Sequence, residues 1–220
     1  MTYPISAPSR RASRDENRLR RVFAPLASIV FLALTLVGCI GSQAPSPPTS
    51  SPPGPTVSPT PSYKPADHKG KAQNVPLPVM PAEAKAHTKE GLQAFMKHWV
   101  GLLSYAYETG DTGPLFEVTG GGCTTCKNVQ FVVADAYAGG KWIVGARMKF
   151  ISADSAMVAN QYGQLSGAIT MQQEVAKFMN SDGSVLSTSG GGDAKASLFL
   201  VVPRDSGWEL GDIGKPSGAA

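Results

Sequence analysis

The chain has 220 residues, 42% of them apolar and 16% charged, with a formal net charge of +4. The positive excess sits in one place: six arginines between Arg10 and Arg21 stand against Asp15 and Glu16, and from Cys39 onward 14 basic residues balance 14 acidic ones. That balance excludes a bulk electrostatic footprint for DNA or RNA, so nucleic acid is not expected as a partner.

Residues 1–21 read as an arginine-rich leader whose charges hold the amino end on the cytoplasmic side during export. An apolar run of 16 residues, Val22 to Val37, follows. It is short for a membrane span, which needs about 20 residues, and it closes on Leu36-Val37-Gly38-Cys39. Small residues directly before a cysteine resemble a bacterial lipobox, which implies diacylation of Cys39 and cleavage before it. The expectation is therefore a signal peptide over 1–38 and a lipid anchor on Cys39 at the extracytoplasmic face of the cell membrane. Arg20-Arg21-Val22-Phe23 fits a twin-arginine signal superficially, but the leucine-rich run favours the general secretion route.

Residues 39–81 read as a lipid-anchored stalk. From Ile40 to Pro81 the chain holds 12 of its 18 prolines, with serine, threonine and glycine filling much of the rest. Such a stretch does not offset its ordering entropy and is expected to be disordered with polyproline II bias.

The single domain is expected over 82–215, with a short tail at 216–220. Leu92, Phe95, Met96, Trp99, Leu102, Leu103 and Ala106 recur at spacings of three and four, which predicts a helix of about 22 residues. Thr88 is its expected cap, and Gly110-Asp111 its stop. A turn or two of helix near Pro114 to Val118 leads through three glycines to a third helix, Cys123 to Ala138, with Val129, Val132, Val133 and Ala136 inward. The period then changes to two. Trp142, Val144, Ala146, Met148 and Phe150 predict one strand, and Ser155 to Gln164 is ambiguous. Ala168 to Met179 alternates with a change of face near Gln172-Gln173, as a bulge produces. Ser181-Asp182-Gly183-Ser184 reads as a hairpin turn. Ala196, Leu198, Leu200 and Val202 are the expected inward set of a later strand, paired with Trp208 to Ile213. Helices first and antiparallel strands afterwards make an α+β fold.

A first helix, two shorter helices and a bent meander look like the cone of the nuclear transport factor 2-like superfamily, in which a curved antiparallel sheet wraps the first helix. Thr88-Lys89-Glu90-Gly91-Leu92, Phe95, Trp99, the run Tyr105 to Asp111, Cys123-Thr124-Thr125-Cys126 and the Trp142 strand together resemble a family of actinobacterial lipoproteins defined as a domain of unknown function. The resemblance implies location and fold and no activity.

Cys123 and Cys126 are an even pair in an exported chain, and a structural disulfide is favoured over redox chemistry, metal binding or free thiols. A redox site would want a preceding strand, whereas three glycines stand there. Zinc would need two further ligands from His68, His87 and His98, so no metal and no cofactor are expected. His87 and His98 are expected to be solvated. Asp135 and Glu174 are the carboxylates singled out as able to face inward, and they do not pair as acid and base. Tyr105, Tyr107, Trp142 and Asp135 are the candidate lining of a ligand pocket. The expected function is non-catalytic binding of an envelope protein or glycan. The alternative is a carrier of small apolar ligands inside the cone, with an enzyme the least favoured.

Overall fold

The structure, a computed structural model, describes residues 61–215; Cys39, the leader and the stalk before residue 61 lie outside the described residues. A 3-10 turn, Ala82–Lys85, precedes α1 (Lys89–Thr109), α2 (Gly113–Glu117) and α3 (Thr124–Tyr137). Seven strands follow: β1 (Trp142–Gly145), β2 (Met148–Ala159), β3 (Leu165–Gln173), β4 (Val175–Met179), β5 (Val185–Gly190), β6 (Lys195–Arg204) and β7 (Gly207–Gly214). This is the expected mixed α+β order.

The helix α1 begins and ends where its sequence says. Thr88 has an extended backbone and its hydroxyl accepts from the Gly91 amide at 3.1 Å, satisfying one of the orphan donors of the first turn. Gly110 closes the helix in the left-handed conformation, its amide bonded to Ala106 O. The stripe from Leu92 to Ala106 is buried throughout. It packs on Leu165, Ile169, Phe199, Val201, Trp208 and Leu210 of the sheet and on Leu115 of α2. Trp99 meets Phe199 edge to face at 5.1 Å, and its indole N–H donates to Thr119 Oγ1 at 2.9 Å. Helix and sheet come this close because β3 carries Gly167: a Cβ there would stand 2.5 Å from Met96 Sδ.

The strands form two antiparallel sheets, in the orders β1-β4-β5 and β2-β3-β6-β7, where the sequence suggested one curved sheet. The division has a local cause. Gly145 and Ala146 both have positive φ, 79° and 65°, and interrupt the strand expected to run from Trp142 to Phe150. Glu174 interrupts its neighbour between β3 and β4. Ala146 N to Val175 O (3.2 Å) and Glu174 N to Arg147 O (2.9 Å) carry hydrogen bonding across the break. The expected change of face near Gln172-Gln173 is this interruption.

Two assignments of facing are corrected. In β6 the fully buried side chains are Phe199 and Val201, while Leu198, Leu200 and Val202 are only half-buried and Ala196 is exposed. The alternation of aliphatic residues from 196 to 202 gave the parity to the wrong face, because both faces of this strand carry apolar side chains. In α3, Val133 and Ala136 are buried as expected, but Val132 is exposed.

The boundary at residue 82 also moves. Residues 61–81, assigned by composition to the stalk, lie against the domain as a strap. Lys64 and Gln73 exchange backbone hydrogen bonds at 3.0 and 2.8 Å, and inside that pair Asp67 and Gly70 do the same. Trp142 Nε1 donates to Asp67 O at 2.9 Å. The strap then crosses α1, where Pro78 lies 3.6 Å from the position a Cβ on Gly101 would take. Proline content averaged over the whole stretch concealed these contacts, since they are made by backbone groups and a few side chains.

Candidate functional site

The strap gives α1 a second covered face. Gly101 and Glu108 each lie three and four residues from the adjacent pair Ser104 and Tyr105, on the side of the helix roughly opposite the Leu92 to Ala106 stripe. With Tyr63, Val75, Pro76 and Pro78 of the strap and Arg147 and Met148 at the start of β2, they line a cleft of about 340 Å³.

Glu108 is the chemical centre of this cleft and is 7% exposed. Its Oε1 accepts a hydrogen bond from the Tyr63 hydroxyl, and Arg147 Nη1 stands 3.9 Å away. Arg147 also reaches the Tyr63 oxygen, at 3.4 Å. Burial, then the hydrogen bond to Glu108, raises the Tyr63 pKa above the ordinary phenol value. Tyr137 Oη lies 2.9 and 2.7 Å from the Tyr107 and Glu108 carbonyls, covering the last turn of α1. Ser104 clips the helix to β2, accepting from Met148 N at 2.9 Å.

The residues expected to form a pocket do not come together. Tyr105 lines the cleft. Tyr107, two residues on, points to another side of α1 and packs with Ala136, Ile143, Ala146 and Ala176. Trp142 is buried against the strap. Asp135 is exposed on α3, 3.8 Å from Lys141. Glu174, the other carboxylate singled out, is exposed too. The carboxylate that does face inward is Glu108, on a helix face that reads as polar in the sequence. One signal was available: Gly101 and Ser104 on that face are small and uncharged, as a face approached by another chain segment requires.

Of the two histidines, His87 is exposed as expected and His98 is not. His87 lies before α1, and its Nε2 is 3.1 Å from Arg204 O and 2.9 Å from Gly207 O, with the ring 4.9 Å from Trp208. His98 is buried rather than solvated, beneath Pro78, Val79 and Pro81, because the strap covers it. Glu83, Lys97 and Glu117 are the charged groups around it, and burial lowers its pKa below the ordinary imidazole value. A base with a depressed folded pKa binds fewer protons in the folded state than in the unfolded one. Its neutral form therefore supports the fold fully above about pH 6.5, and support is lost as pH falls through that value toward the lower folded pKa. The urea midpoint of the protein should accordingly drop between pH 7.5 and pH 5, and drop less in His98→Gln. An equal drop in both would mean that other groups carry the pH dependence.

Cys123 and Cys126 have their sulfurs at disulfide distance, 1.99 Å. Cys123 caps α3, its Sγ accepting from Cys126 N at 3.1 Å, and neither cysteine is exposed. A reactive thiol pair needs an accessible thiolate, so this environment suits a structural link fixing the glycine loop to the helix start.

Among the described residues there is no group of His, Cys, Asp and Glu able to hold a metal ion, and no helix is long and apolar enough to cross a membrane. The fold and cleft together define a mixed α+β domain, with three α-helices and two antiparallel sheets, whose first helix is covered on one side by its own amino-terminal strap. The chain belongs to the family of unknown function DUF6318, whose model matches residues 61–213 and so includes the strap. No curated protein matches it. Two solved structures are distantly similar. The intermembrane space region of the chloroplast protein ARC6 is 12% identical with a TM-score of 0.39, the match covering 58% of this chain and 95% of that one. Aln2 from a Streptomyces species is 11% identical with a TM-score of 0.34, over 55% and 87% of the two chains.

Proposed function

We propose that this chain is a lipoprotein, anchored through Cys39 at the extracytoplasmic face of the membrane, whose domain binds another envelope component by its exterior without catalysis. The observation that carries this reading over the carrier alternative is the filled centre of the domain: Trp99, Phe95, Phe199, Leu92 and Met96 are fully buried there. A carrier of apolar ligands would need that volume open. The interruption between the two sheets favours the nuclear transport factor 2-like cone, since a kink shared by neighbouring strands lets a meander turn around α1. With the domain beginning at residue 61, the stretch left to separate it from Cys39, residues 40–60, is 21 residues. As polyproline II at about 3.1 Å per residue it reaches roughly 70 Å, and as a coil roughly 25 Å.

Photo-crosslinking in intact cells tests the proposal, with the probe placed on the exposed face of α3 at Phe131. A recurrent protein or glycan partner should be captured there and not by an anchor and stalk lacking the domain. Identical captures with and without the domain would remove the binding function.

A further inference from the structure

We propose that the cleft between the strap and α1 binds a neutral sugar ring of an envelope glycan, held by Glu108, Arg147 and Tyr105; this rests on the binding function just described and names its partner class. Every fully buried side-chain nitrogen and oxygen among the described residues has a hydrogen-bond partner. Oε1 of Glu108 takes the Tyr63 hydroxyl, so Oε2, which takes no donor from a described residue, is the oxygen in contact with the cleft. It offers an acceptor backed by a guanidinium 3.9 Å from its companion oxygen.

Charge then sorts the ligands. A cation meets Arg147, an anion meets Glu108, and the pair sums to no net charge, so neither gains. An apolar molecule would cover Oε2 and leave it unpaired, at a desolvation penalty. A ligand with neighbouring hydroxyls uses both members of the pair at once: one hydroxyl donates to Oε2 and the next accepts from the half-exposed Arg147 guanidinium. The Tyr105 ring and the Pro76 and Pro78 rings supply an apolar wall for the C–H face of a pyranose. The volume of about 340 Å³ lies at the small end of ligand sites, which suits one or two rings.

The test uses the full chain in a sugar-free detergent and four probes: maltose, cellobiose, mannobiose and N,N′-diacetylchitobiose. Saturation-transfer NMR and calorimetry should find at least one that binds with Kd below about 10 mM. Tyr105→Ala and Glu108→Gln should each weaken that binding by about tenfold or more, while Glu90→Gln, exposed at the opposite end of α1, leaves it unchanged. Because Glu108→Gln also touches the strap, Tyr105→Ala decides: exchange of the Trp142 indole N–H, which donates to Asp67 O of the strap, should be as in the parent, which shows the strap still docked. No binding by any of the four probes, or binding that Tyr105→Ala leaves intact, overturns the proposal. If partner capture in the envelope persists through either result, the binding function stands and only the sugar assignment falls.

Discussion

Trp99→Ala should lower the stability of the domain by about 3–5 kcal/mol, roughly a fifth or more of what a domain commonly has. Trp99 is fully buried at the meeting point of α1, α2 and β6, so truncation leaves a large void whose walls, Phe199 and Leu115, belong to different elements and close on it poorly. The hydrogen bond to Thr119 goes as well. Thr119 keeps its own bond to Leu115 O at 2.7 Å, so that part of the loss is small. Trp99→Phe should recover more than half of the loss by restoring an aromatic contact with Phe199. Urea unfolding followed through the remaining Trp142 and Trp208 gives both values, and a loss under about 1 kcal/mol for the alanine variant would mean that the centre repacks.

Cys39→Ser should abolish lipid attachment entirely while leaving the domain as it is. The residue lies outside 61–215, and the core described above is built from residues between Ala84 and Leu210. Labelled fatty acid should enter the parent and not the variant, and the variant should move from the membrane fraction to the soluble envelope or medium. The shift would be all-or-none because, in the proposed anchoring, the acyl chains alone would hold the chain to the bilayer: each buried methylene contributes about 0.8 kcal/mol, and two chains suffice for stable anchoring. Label retained in the serine variant would place the anchor elsewhere.

How much of this was legible in the sequence depends on which face of each element carried the information. The ends of α1 were fixed by Thr88 and Gly110, residues whose chemistry is local, and its core stripe by periodicity. The opposite face was not legible, because what covers it arrives from the strap, and periodicity records apolar side chains but not an approaching backbone. Thus His98, expected to be solvated, is buried, and so is Glu108, which the sequence did not single out. The parity of β6 failed for the opposite reason. Leu198, Leu200 and Val202 are as apolar as Phe199 and Val201, so alternation offered two answers and only packing on Trp99 selects one. The sheet division was half-visible: the change of face near Gln172-Gln173 marked it on one strand, while Ala146, an unremarkable residue in sequence, adopts positive φ on the other.

The strap also decides how the domain would respond to tension. In an anchored chain a pull arrives at residue 61 and falls first on the Asn74 to Ser62 and Tyr63 to Glu108 hydrogen bonds, then on the Lys64–Gln73 pair, which opens one bond at a time rather than in parallel. These would give way before α1 or the sheets are pulled apart. Peeling residues 61–81 would lengthen the tether by up to about 70 Å at roughly 3.3 Å per residue, so in an anchored chain the segment would act as a mechanical fuse, yielding length while the core stays folded.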